Sequence, residues 1–239
     1  MTIAWPICLF LLKDKPSDIG QFPDGDATEH PGQNVAPRSF QYLFGKPAFW
    51  LLVVGSFCSI GAIGSINQHM KFVFKEHGFT DQNQLNTLFS DATLYILFSS
   101  IAGRLVMGYL ADKYSKKLVM TATYLLVAST IPLLLLVTPE SPQYVYVFSI
   151  LFGFGMGADY MLIPLMAAEK FGVNSLARAM AIILPTDTIG QTWCPYLVSQ
   201  IHQRYGGYGT ALSVVILLAF VGATSIALLP NKGGAEQDR

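Results

Sequence analysis

The chain has 239 residues, of which 13% are charged and 52% hydrophobic, with 15 acidic and 15 basic side chains. Soluble domains carry about 25% charge, so this composition argues against a soluble domain, and a net charge of zero gives no reason to expect a nucleic-acid partner. Residues 47–70, 118–139, 141–158 and 205–231 contain no Asp, Glu, Lys or Arg, while 82–103 and 179–203 carry one acid each, Asp91 and Asp187. A spanning helix needs about 20 mostly apolar residues. Six such stretches predict an all-α, polytopic membrane protein whose first partner is the lipid bilayer.

In chain order, residues 1–12 (MTIAWPICLFLL) have no basic segment before their apolar run, so they do not read as a signal peptide. As a helix they would rise about 18 Å, too short to span. They read as the end of a transmembrane helix whose start is absent, and the chain as a fragment. Residues 13–46 are rich in Pro, Gly and Asp and read as a flexible linker. The six spans are expected at 47–68, 86–110, 118–138, 144–167, 177–200 and 209–229, making a bundle over 47–230 with a tail at 231–239. Lys and Arg fix the orientation. Segments 13–46, 111–117, 168–178 and 230–239 hold eleven of them, against Lys71, Lys75 and Arg204 in 69–85, 139–143 and 201–208. Linker and C-terminus are therefore expected in the cytoplasm, on a plasma or inner membrane.

Charges inside spans are costly and mark sites. Arg104 lies on the second span, where a permanently charged guanidinium can grip a carboxylate through two hydrogen bonds; snorkelling to the interface, or a bond to Asp112, are the alternatives. On the fourth span, Gly153 and Gly157 form a G-x-x-x-G that reads as helix packing. Asp159 follows it and lines a cavity with Tyr160 or caps a bend. Glu169 and Lys170 read as a surface pair. On the fifth span, Pro185 should kink the helix and free backbone acceptors before Thr186 and Asp187. Asp187, near the midplane, could carry a proton, pair with Arg104, or bond a neighbouring helix. Asn67, Gln68 and His69 suit the outer end of the first span, as interfacial groups or a gate. Cys8, Cys58 and Cys194 have no metal or redox spacing and read as small hydrophobes. No HExxH, Ser/His/Asp grouping or Cys cluster occurs, so no catalytic residue, metal or cofactor is assigned and an enzyme is the weakest reading.

Between the second and third spans, Gly108-x-Leu110-Ala111-Asp112-Lys113-x-Ser115-Lys116-Lys117 resembles the loop signature of the major facilitator superfamily, with Ser115 where the pattern has Gly. The resemblance implies the C-terminal six-helix half of a twelve-helix fold, with the N-terminal half missing. It also implies a gating role for Gly108, Asp112, Lys113, Lys116 and Lys117, with Asp112 facing Ser175 to Arg178 at the start of the fifth span. The strings KDKPSDIGQFPDGD, INQHMKFVFKEHGFT, GADYMLIPLMAAEKFG and RYGGYGTAL resemble the oxalate/formate antiporter and monocarboxylate transporter branches. Those branches imply an Arg four residues before the motif Gly that binds carboxylate substrates, which Arg104 matches. Ser100 and Leu105 stand where monocarboxylate transporters have Asp and Pro. No Lys occurs between 171 and 231, where oxalate-type antiporters place a second cation. A monocarboxylate is favoured over a dicarboxylate. The expected function is a secondary transporter moving a small organic anion by alternating access, through proton symport or anion exchange. The substrate would be bound by Arg104, Asp187, Thr186, Asp159 and Tyr160. The alternative is a non-transporting membrane sensor or assembly factor that keeps the fold.

Overall fold

The computed structural model describes residues 38–230, which form seven α-helices and no strand. They are α1 (Phe40–Phe44), α2 (Pro47–Glu76), α3 (Gln82–Lys113), α4 (Lys116–Leu135), α5 (Gln143–Phe171), α6 (Val173–Tyr205) and α7 (Tyr208–Ala227). Each of the six expected spans falls on one long helix, from α2 to α7. The truncated helix expected at 1–12, most of the linker and the tail at 231–239 lie outside the described residues.

Helix ends follow local chemistry. Pro47 sits in the first turn of α2, where its missing N–H would be unsatisfied anyway. The side chains of Asp81 and Ser115 accept the N–H of Asn83 (3.1 Å) and Leu118 (3.4 Å), capping α3 and α4. Gly172 alone separates α5 from α6, at φ +82° and ψ 151°, a region that side chains with a Cβ adopt only under strain.

Five helices, α2, α3, α4, α5 and α7, are long and apolar enough to cross a membrane. The remaining one, α6, has ample length at 33 residues but not the apolarity. Thr186, Asp187, Thr188, Gln191 and Thr192 follow one another along it, and polar groups at that depth need neighbours or water rather than lipid. Its packing supplies the neighbours, since α6 lies chiefly along α2, with α5 and α7 adding smaller contacts.

In the bundle, α2 packs on α6 and α7, α4 fills the space between α5 and α7, and α3 rests almost entirely on α5. Small residues set that last contact. A Cβ on Gly157 would run into the Ser100 carbonyl, one on Gly103 into the Phe154 carbonyl, and one on Gly153 would lie 2.5 Å from the Ile96 carbonyl. Because α3 has one main neighbour, Leu97, Phe98, Leu105 and Tyr109 on its other faces stay exposed. Two buried apolar clusters fill the interior. One contains Ile63, Ile66, Val127, Phe148 and Phe152; the other contains Leu52, Ile60, Tyr124, Ala158 and Ile183.

The loops gather at two ends as the basic-residue count grouped them. At the motif end, Lys116 pairs with Glu169 (3.3 Å), the Arg38 N–H donates to Ser175 Oγ (3.0 Å), and Lys170 reaches the Pro230 carbonyl (2.6 Å). At the opposite end, His77 Nδ1 donates to the Val137 carbonyl (2.9 Å) and Glu76 accepts the Tyr208 N–H (2.8 Å). The linker expectation needs correction in its described part. Residues 38–46 contain α1, its Leu43 is buried, and Trp50 Nε1 donates to the Phe44 carbonyl at 3.0 Å. The apolar side chains Phe40, Tyr42, Leu43 and Phe44 give this stretch a face to bury that Pro, Gly and Asp composition upstream does not.

Candidate functional site

Arg104 lies nine residues before the end of α3, about 14 Å along the axis at 1.5 Å per residue. It is exposed and makes no hydrogen bond or ion pair among the described residues. Ser100, one turn earlier, is buried and spends its hydroxyl on the Leu97 carbonyl (2.8 Å). On α5, Tyr160 is 41% exposed, lies within electrostatic reach of Arg104, and its hydroxyl accepts from Gln191 Nε2 of α6 at 3.1 Å. Three helices therefore bring a guanidinium, a phenol and a carboxamide to one open face. All three can donate to a carboxylate. Gln191 was not singled out in the sequence, because an amide in a helix acquires meaning only from what lies across from it.

Behind this face lie two buried acids. Asp159 is fully buried, and its Oδ2 accepts from Ser59 Oγ at 2.5 Å. Asp187 is 6% exposed, and its Oδ1 accepts from Ser56 Oγ at 2.7 Å. The two serines stand three residues apart on α2, hence on one face, and the two carboxylates are within electrostatic reach of each other. The hydroxyl of Tyr124, on α4, lies beside Asp159, placed as the O–H donor to its carboxyl group. Of the two alternatives for Asp159, lining a cavity with Tyr160 or capping a bend, the first would place it on the open face, and it is instead fully buried. Successive helical residues point about 100° apart, and α5 turns Tyr160 outward and Asp159 inward. Thr186 is half-buried and donates back to the Ile182 carbonyl (2.7 Å). Its hydroxyl is spent on its own helix beside Pro185, and α6 runs through both Pro185 and Pro195 as one helix.

The loop motif is placed differently from expectation in one respect. Asp112 is exposed and has no ion pair among the described residues. The start of α6 is occupied by the segment before α1: Arg178 Nη1 donates to the Arg38 carbonyl (2.9 Å) and Ser175 receives the Arg38 N–H. Gly108 faces Met161, whose Sδ would be 3.2 Å from a Cβ there. Lys113 lies 5.9 Å from the Tyr114 ring centroid, Lys116 pairs with Glu169, and Lys117 lines a cleft of about 720 Å3 with Ser115, Leu118, Thr121 and Glu169. The expected surface pair Glu169–Lys170 is also corrected. Lys170 is 3% exposed, held by the Pro230 carbonyl as well as by Glu169 at 3.6 Å, because the segment after α7 folds over it.

At the opposite end, His69 ties three helices together. Its Nε2–H donates to the Pro195 carbonyl (2.9 Å), which leaves Nδ1 to accept from the Tyr208 hydroxyl (3.1 Å) in the neutral ring. Glu76 adds His202 Nε2 at 3.0 Å to its bond with the Tyr208 N–H. Asn67 reaches Met156 Sδ at 3.5 Å.

No curated protein matches this chain. The profile of the Major Facilitator Superfamily matches residues 92–237, more than half of the sequence. That range runs from within α3 to beyond α7 and includes Arg104, the loop motif, Asp159 and Asp187. With its helical bundle and its apolar spans, the chain belongs to the Major Facilitator Superfamily.

Proposed function

We propose that this membrane transporter is a secondary carrier of a small organic anion, a monocarboxylate of the kind handled by the oxalate/formate antiporter and monocarboxylate transporter branches. It works by alternating access, and its motif end faces the cytoplasm. The observation that carries the reading is Arg104 itself. A guanidinium six residues, about 9 Å, inside the expected span 86–110 is costly against lipid, and here it stands on an open face with no anionic partner among the described residues. An incoming carboxylate supplies that partner, with Tyr160 and Gln191 positioned beside it. The exposed face of α3 takes a second six-helix bundle, and the anion binds in the water-filled space between the two.

Arg104→Lys keeps the charge but loses the two-pronged geometry. Uptake of labelled monocarboxylates by the membrane-inserted protein should fall, with substrate affinity weakened about 10- to 100-fold, the value of one charge-assisted hydrogen bond. Unchanged uptake and affinity in this variant would remove Arg104 from the site and the reading with it.

A further inference from the structure

We propose that the cleft at the motif end is a binding site for an anionic phospholipid, with the head group held by the lysines there and one acyl chain lying along α4. Arg104, Tyr160 and Gln191 do not line this cleft. The site therefore depends neither on the transported anion nor on which side of the membrane the motif end faces.

Three observations carry it. First, the cleft measures about 720 Å3, within the range of about 300–1,000 Å3 in which proteins hold small ligands. Its main wall is α4, with Ala227 at the end of α7 and Glu169 of α5 bordering it. Second, that wall is apolar and runs into the membrane. Leu118, Ala122 and Leu125 recur at helical spacing as one exposed stripe of α4. Thr121 beside them donates its hydroxyl to the Lys117 carbonyl (2.8 Å), so the wall offers no donor to water. Leu125 lies nine residues after Lys116, about 14 Å along the axis, close to the half-thickness of about 15 Å of a hydrocarbon core. Third, the mouth is cationic. Lys116 and Lys170 both hold Glu169, at 3.3 and 3.6 Å, so the acid that lines the cleft is already countered, and Lys117 lines it too. Asp112, the acid of the loop motif, is not among the lining residues.

Charge and apolarity together select the occupant. A free phosphate suits the lysines but leaves the leucine stripe uncovered, and an apolar helix covers the stripe but ignores the lysines. A phospholipid of net negative charge meets both. Its head group lies in a basic pocket between helix ends, and its chain adds favourable burial with every CH2 laid on Leu118 and Leu125. Ser115, whose oxygen accepts the Leu118 N–H, keeps its own O–H to donate to a phosphate oxygen. The association is non-covalent throughout.

The test is native mass spectrometry of the full chain in detergent, with dioleoylphosphatidylglycerol and dioleoylphosphatidylcholine added in equal amounts. The two lipids share their chains and differ in net head-group charge. We expect the phosphatidylglycerol adduct to dominate. Lys117→Gln should reduce that preference about fivefold, the effect of one basic residue at a lipid head group. Ala122→Trp fills the groove from an exposed position and should remove the first bound lipid whatever its head group. Lys117→Gln serves even where the Trp variant folds poorly. Equal retention of the two lipids, or adducts untouched by both variants, would overturn the site. Displacement of the bound lipid by inorganic phosphate would also overturn it, in favour of a free anion. A several-fold rise in lipid binding on removal of residues 231–239 would do the same, naming Glu236 and Asp238 as the groups the lysines hold. Arg104→Lys should leave the lipid adducts unchanged, which separates this site from the anion site.

Discussion

Ser56 and Ser59 are one turn apart on α2, each bonded to one carboxylate, yet their loss should not cost the same. Asp159 is fully buried, so Ser59→Ala leaves its carboxyl group without the Ser59 bond and shielded from solvent. We expect a cost of about 1–3 kcal/mol. Asp187 retains some exposure, and Ser56→Ala should cost less. Thermal unfolding in detergent reads the difference, and equal midpoints would mean that water reaches Asp159. Ser115 makes a second residue-scale prediction. It caps α4 through Leu118 N–H, which accounts for Ser where the signature has Gly. Ser115→Ala should destabilise by about 1 kcal/mol and Ser115→Gly by only a few tenths. The reverse order in the same assay would show that the loop needs backbone freedom more than a cap.

At the scale of elements, glycines on α3 and α5 differ in what they touch, and their substitution should separate accordingly. Gly157 meets the Ser100 carbonyl, part of a helix backbone, whereas Gly108 meets Met161 Sδ, the far end of a flexible side chain. Gly157→Ala forces α3 away from α5 at a cost of about 1–3 kcal/mol, while Gly108→Ala is absorbed by a change of Met161 rotamer. Thermal midpoints and the yield of monodisperse protein should drop for the first and hold for the second. The helices themselves were legible from the sequence, because charge-free runs such as 47–70 and 118–139 leave a polytopic chain few other structures. The polar joinery between them was not. Nothing near Ser59 in sequence indicates that Asp159, 100 positions later, will face it, and the burial of Lys170 depends on a carbonyl 60 residues away. Arg104 and Asp187 stood out since a lone charge in an apolar run is visible without knowing its neighbours. Tyr124 and Gln191 did not, as an aromatic or an amide in a helix is ordinary until its partner is known.

For the whole molecule, the grouping of loops at two ends is a matter of structure and the side each end faces is a matter of charge. Arg38, Lys46, Lys113, Lys116, Lys117, Lys170 and Arg178 all belong to the motif end, against Lys71, Lys75 and Arg204 at the other. In a background freed of native cysteines, Ser115→Cys should react with a membrane-impermeant maleimide only after the cytoplasmic side is opened. Ser141→Cys, in the loop between α4 and α5, should react in intact cells. Labelling in the opposite pattern would invert the orientation.

The single residue between α5 and α6 has a mechanical consequence. Asp159 lies 13 positions before Gly172 and Asp187 lies 15 after it, about 20 Å and 22 Å along their helices. The two acids therefore sit on lever arms of nearly equal length that share one pivot. Opening the angle between the arms by about 10° parts their tips by about 4 Å, more than the length of a hydrogen bond, while hardly changing the depth of either acid. Any change of angle at Gly172 is therefore carried to both acids at once, through arms of nearly equal length.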